Sequence, residues 1–101
     1  MTAGLKTFDA SEYIETDEGA RAFLEDAMET NDAAFIAAAI GEVARAKGMS
    51  AIAKETGMSR ESLYRALSGD GNPQLSTVLK VLEAMGLKLT VEPVSKTSDA
   101  A

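Results

Sequence analysis

A chain of 101 residues has room for one domain with one modest core, and 46% hydrophobic residues with only 5% aromatic make that core aliphatic, alanine-rich and helical. The absence of cysteine excludes a disulfide framework and thiolate metal sites, and fits a reducing cytoplasm. Histidine is absent too, and the formal net charge of −6 gives an acidic protein with neither the commonest general base nor the commonest zinc ligand, so an enzyme is not expected.

That charge is unevenly distributed. Residues 1–42 carry ten acidic and two basic side chains, whereas residues 43–101 carry six and eight. Between Arg45 and Arg65 the basic residues Arg45, Lys47, Lys54, Arg60 and Arg65 outnumber Glu55 and Glu61. Such a face can dock on phosphates while the rest of the molecule repels them, which lowers non-specific affinity. The acidic half suits solubility or a partner equally well. No apolar run approaches the ~18 residues that span a bilayer, and no basic segment followed by an apolar run opens the chain, so a soluble cytoplasmic protein without membrane contact is expected.

In chain order, residues 1–16 mix polar side chains with Leu5, Phe8 and Tyr13 without a sustained period, which reads as a loosely ordered lead-in pinned by Phe8 and Tyr13. Residues 17–92 are expected to form a single helical domain, and residues 93–101 a disordered tail. From Asp17 to Glu29, Ala20, Phe23, Leu24, Ala27 and Met28 make one apolar stripe at helical spacing, with Asp17 and Glu18 suited to the first turn. Thr30, Asn31 and Asp32 break that pattern and cap a second helix, Ala33 to Lys47, with Ile36, Ile40, Val43 and Ala44 inward. Gly41 costs about 1 kcal/mol in mid-helix, so it marks a close helix contact. Gly48 stops this helix.

Residues 50–68, SAIAKETGMSRESLYRALS, read as two short helices around a tight turn, the local chemistry of a helix-turn-helix. Gly57 can adopt the left-handed backbone that redirects the chain, Ser59 can cap the second helix, and Ala53 is small enough for the two helices to cross closely. Ser68 to Pro73 is a loop of breakers, and a last helix from Leu75 to Met85 places Val78, Leu79, Leu82 and Met85 on one side before Gly86 ends it. Leu87 to Glu92 then alternates strictly between apolar and polar, a single strand that needs a partner: the lead-in, the same strand of a second protomer, or another protein. Pro93 terminates it. The fold class is all-α, a five-helix bundle with a short C-terminal β-strand.

If Leu63, Ala66 and Leu67 face inward, the second helix of the motif presents Ser59, Arg60, Glu61, Tyr64 and Arg65 as its base-reading set. Arginine can donate two hydrogen bonds to guanine O6 and N7, and Glu61 can accept from cytosine N4. Ser50, Lys54, Ser62, Ser68 and Asn72 lie near helix starts or loops where a phosphate backbone would run, although for Ser50 and Ser68 capping or loop duty comes first. The bland alternative is a solvated helix with a Glu61–Arg65 pair worth a few tenths of a kcal/mol. No cofactor or metal site is expected. Glu25, Asp26 and Glu29 sit on a polar helix face, and SGDGNP lacks the spacing and lysine of a phosphate-binding loop.

From Lys47 to Leu87 the chain resembles the helix-turn-helix domain of phage repressors of the lambda and Cro type, through Ala53, Gly57, Ser59, Arg60, Leu63 and the Asn72–Pro73 step before the final helix. Its first motif helix is shorter than in that pattern. This shortened form, with the acidic N-terminal helix and the core MSRESLYRALSGDGNP, resembles the addiction-module antidote family, antitoxins of the HigA type, from Phe8 to Glu92. The resemblance implies a lambda-repressor-like bundle. It also implies an antitoxin that neutralises a RelE/HigB-like toxin and represses its own operon by binding double-stranded operator DNA as a homodimer, since two motifs on a two-fold axis read a palindrome. RelE-like toxins are typically basic, so the acidic N-terminal half or the strand would face the toxin. The alternatives are a stand-alone prophage-type helix-turn-helix regulator and a protein-interaction module that has lost DNA binding.

Overall fold

The computed structural model describes residues 14–94, which form five helices: α1 (Asp17–Glu29), α2 (Ala33–Lys47), α3 (Met49–Thr56), α4 (Arg60–Ala66) and α5 (Leu75–Ala84). Local chemistry sets the first boundaries. Thr16 Oγ1 accepts from the Gly19 N–H at 2.9 Å and caps α1, with Asp17 and Glu18 in its first turn. Asn31 carries the chain through a positive φ of 54°, a conformation asparagine tolerates better than most residues. Asp32 Oδ1 then accepts from the N–H groups of Ala34 and Phe35 at 3.1 and 3.2 Å to start α2.

α2 is the central element, in contact with α1, α3 and α4, and its Ile40, Val43 and Ala44 are fully buried. The expected close approach at Gly41 is present. A Cβ built there would overlap the Leu67 carbonyl oxygen and lie 3.1 Å from Leu67 Cβ, so a bare glycine lets α2 press against the cap of α4. Lys47 Nζ, at the last turn of α2, reaches Asp17 Oδ1 at 2.9 Å and ties the two acidic-half helices together. Gly48, at φ 113°, ends α2 and opens α3.

The core joins Ala20, Leu24 and Ala27 of α1, Ile40, Val43 and Ala44 of α2, Met49, Ile52 and Ala53 of α3, Leu63 and Leu67, and Val81, Leu82 and Met85. Ile14 belongs to it at 1% exposure, ahead of α1. The anchors expected from sequence, Phe8 and Tyr13, lie outside the described residues. Thr56 is the one buried polar side chain among the described residues, and its Oγ1 donates to the Ala53 carbonyl at 3.1 Å. No helix among the described residues is long and apolar enough to cross a membrane.

One expectation needs correcting. On α5 and its C-cap the buried side chains are Val81, Leu82 and Met85 with Val78 packed against them, whereas Leu79 is 44% exposed. Positions 78, 81, 82 and 85 are the i, i+3, i+4, i+7 stripe; Leu79 lies about 100° round the helix from Val78 and shares the open side with Leu75. The strand expected at Leu87–Glu92, which needs a partner, is not formed among the described residues. Gly86, at φ 80°, closes α5, with its N–H to the Glu83 carbonyl and that of Leu87 to the Leu82 carbonyl at 2.9 and 2.8 Å. Residues 88–94 then carry neither helix nor strand and make no hydrogen bond. A strand exists through its ladder, and nothing among the described residues supplies one.

Candidate nucleic-acid interface

The helix pair α3 and α4 is joined by a turn built on Gly57, whose backbone sits at φ 75° and ψ 18°. The Gly57 N–H donates to the Ala53 and Lys54 carbonyls at 2.9 and 3.4 Å, and the Met58 N–H donates to Ala53 at 3.1 Å. This pattern satisfies the last carbonyls of α3 and needs the left-handed glycine at its centre. Ser59 then starts α4, its Oγ accepting from the Ser62 N–H at 3.0 Å. The Ser59 hydroxyl also donates to Ser62 Oγ at 3.0 Å. Both serines are engaged in the cap, so Ser59→Ala is expected to cost about 1 kcal/mol, read as a fall of about 4–8 °C in the circular-dichroism melting midpoint.

α4 is held from beneath by Leu63 and Leu67, both at 0% exposure. Its outer face carries Arg60, Glu61, Tyr64 and Arg65, all exposed. Glu61 and Arg65 do not pair; the ion pairs among the described residues are Arg21–Glu25, Glu42–Arg45 and Asp17–Lys47. The charged groups of this face thus make no ion pair on their own helix.

Tyr64 organises the face. The Arg60 guanidinium carbon stands 5.9 Å from its ring centroid and that of Arg45, from the last turn of α2, stands 6.0 Å away. Both lie within the range in which an aromatic face attracts a cation. Arg45 Nη2 also bonds Glu42 Oε2 at 3.2 Å, which anchors it to α2. Sequence reasoning counted Arg45 among the basic residues but left it out of the site; its contact with Tyr64 joins two helices that no local pattern connects.

The remaining candidates are more dispersed. Ser50 is exposed inside α3 rather than at its cap, a place taken by Gly48 without a side-chain bond. Lys54 is exposed in the last turn of α3, and Asn72 is exposed in the loop before α5. The side chains of Ser50, Lys54 and Asn72 make no hydrogen bond or ion pair. Ser68 Oγ donates to the Arg65 carbonyl at 3.0 Å and accepts from the Asp70 N–H at 3.3 Å, so it shapes the loop after α4. Gly71 packs onto the end of α4 so closely that a Cβ there would meet the Arg65 and Ala66 carbonyls. Among the described residues no cluster of three or more carboxylates, histidines or cysteines could hold a metal.

A family model described as "Probable addiction module antidote protein" matches residues 4–93. The chain belongs to this antidote family. As a member of it, the chain is 42% identical over 92 residues to an uncharacterized protein of Haemophilus influenzae, a similarity that covers 91% of this chain and 95% of that protein. No solved structure matches this antidote-family chain. The family match takes in all five helices and the segment after α5, so the α4 face and the acidic α1 both fall within it.

Proposed function

We propose that this chain is the antitoxin of a type II pair, one that masks a RelE/HigB-like toxin and represses its own operon as a homodimer on operator DNA. In this reading α3, the Gly57 turn and α4 act as a shortened helix-turn-helix of the lambda-repressor kind, with α4 in the major groove. The observation that carries it is the α4 face: Arg60, Glu61, Tyr64 and Arg65 stand exposed and unpaired by ions on a helix anchored by the fully buried Leu63, with Ala66 partly buried beside it. Arg60 and Arg65 read guanine edges, Glu61 accepts from cytosine, and Tyr64 touches a phosphate or a thymine methyl. Lys54, Ser50 and Asn72 set the register on the backbone, while the cap serines Ser59 and Ser62 fix where α4 begins. No catalytic step, cofactor or metal enters this mechanism.

Membership of an antidote family supports a toxin partner in general, and the exposed acids of α1 suit a basic one. Charge reversal of Glu25, Asp26 and Glu29 to lysine should reduce co-purification of the toxin at least tenfold while leaving operator binding intact. Unchanged co-purification excludes α1 as the toxin-facing surface. The whole reading is tested by co-expressing the chain with the product of the adjoining gene and titrating it on its own promoter. Rescue of growth with promoter binding supports both halves. Promoter binding without rescue leaves a stand-alone regulator, and rescue without promoter binding leaves a protein-interaction module.

A further inference from the structure

We propose that the segment Lys88–Glu92 is the dimer interface, pairing with the same segment of a second copy of this chain as an antiparallel two-stranded ribbon centred on Thr90. The proposal rests on the homodimer of the preceding reading and supplies its surface. Beyond α5, Lys88 to Val94 form no hydrogen bond among the described residues, so the backbone donors and acceptors of this segment are free. Its residues alternate, with Leu89 and Val91 on one face and Lys88, Thr90 and Glu92 on the other, as a half-buried strand requires. Leu89 is 39% and Val91 97% exposed, and Leu75, Leu79 and Val94 are exposed as well, so most of the large apolar side chains left open in the described chain lie from α5 onward.

The order of charges selects the occupant and the register. When the segment runs antiparallel to itself about Thr90, Lys88 stands opposite the partner's Glu92, Leu89 opposite the partner's Val91, and Thr90 opposite the partner's Thr90. The two-fold axis repeats each pair, giving two ion pairs on the polar face and two aliphatic pairs on the other, the kinds of cross-strand neighbour that stabilise a ribbon. A slip of one residue sets Leu89 against the partner's Thr90 and mixes the faces. Centring on Leu89 or on Val91 keeps the faces but separates Lys88 from the partner's Glu92. Pro93, which has no N–H to give, ends the ribbon immediately after the last ion pair. So short a ribbon is marginal alone, and the exposed Leu75 and Leu79 offer apolar surface to extend the contact.

A chain without native cysteine allows a direct test. Across an antiparallel pair the Cα atoms are ~4.5–5.5 Å apart, within disulfide reach, so Thr90→Cys should be captured as a covalent dimer under mild oxidation. Lys88→Cys alone should not, because the two copies of position 88 lie ~14 Å apart along the ribbon; the double variant Lys88→Cys/Glu92→Cys should cross-link again. All three positions are exposed, so folding is not at stake. In light scattering or sedimentation, Lys88→Glu should weaken dimerisation about tenfold by opposing two pairs of like charges, and Lys88→Glu/Glu92→Lys should restore it. A monomer at all concentrations overturns the proposal. So does a dimer that Thr90→Cys fails to capture, or one that Lys88→Glu leaves unchanged, since the copies then meet through another face or the segment is covered by another part of the chain. Arg60→Ala, outside the segment, keeps this outcome separate from the DNA-reading role: it should lower promoter binding while leaving the dimer intact, whereas loss of the ribbon acts on promoter binding only through loss of the paired motifs.

Discussion

Replacing Gly41 by alanine should lower the stability of the fold by about 2 kcal/mol, against the direction that helix propensity gives. Propensity alone favours alanine over glycine in a helix interior by about 1 kcal/mol. The opposing effect is steric: the new Cβ would overlap the carbonyl oxygen of Leu67 and press on Leu67 Cβ at 3.1 Å. Over-packing of this kind costs about 1–3 kcal/mol, and the upper end applies where the obstacle is backbone rather than a side chain that can turn away. Leu67 is itself fully buried and closes α4, so relief by displacement would drag the end of that helix with it. Urea denaturation decides the matter: a lower midpoint at unchanged slope is expected. A rise in midpoint would mean that α2 and α4 do not meet at this position.

Arg60→Ala should weaken binding to the native operator by ~1–3 kcal/mol, a loss of about 5–150-fold, while leaving binding to unrelated DNA nearly unchanged. The selectivity is the informative part. A lost phosphate contact, as in Lys54→Ala, weakens specific and non-specific binding alike and reduces the salt dependence, whereas a lost base contact narrows the gap between them. Arg60 also lies over the Tyr64 ring, so a melting curve of the variant separates lost recognition from a loosened α4. Arg60→Lys retains the charge without the two-pronged donor, so it should not restore operator affinity. If the titrations for Arg60→Ala and the parent chain superimpose, α4 is not the reading helix.

The features that sequence reading located well are those whose cause is local. Asp32 caps α2 and Gly57 turns α3 into α4 because one side-chain oxygen or one missing Cβ acts within a few residues. The stripe of Ala20, Leu24 and Ala27 on α1 is equally local, since the helical period itself sets which side is buried. Gly41 was legible in a weaker sense: its cost pointed to a close contact, while the identity of Leu67 depended on how α2 and α4 cross. Leu79 and Val81 exchange roles because both fit an apolar stripe, and only the surrounding helices choose its phase. Arg45 entered the α4 face through Tyr64, a contact between helices nineteen positions apart in sequence. The alternating segment after Gly86 shows the remaining limit: pattern records a capacity for strand, and formation needs a second strand that the described chain does not contain.

Ile14 bears on how the molecule would be lost as well as how it is held. A protease that trimmed the chain back to the start of α1 would leave the five described helices whole, yet it would take away a side chain only 1% exposed and open a void within the core cluster. The front end of this protein is therefore vulnerable in a way its helix boundaries conceal. Clipping just beyond Ile14 should not give an equally stable shorter protein: losing a buried isoleucine from the core costs about 2–5 kcal/mol, enough to turn a small cut into faster turnover.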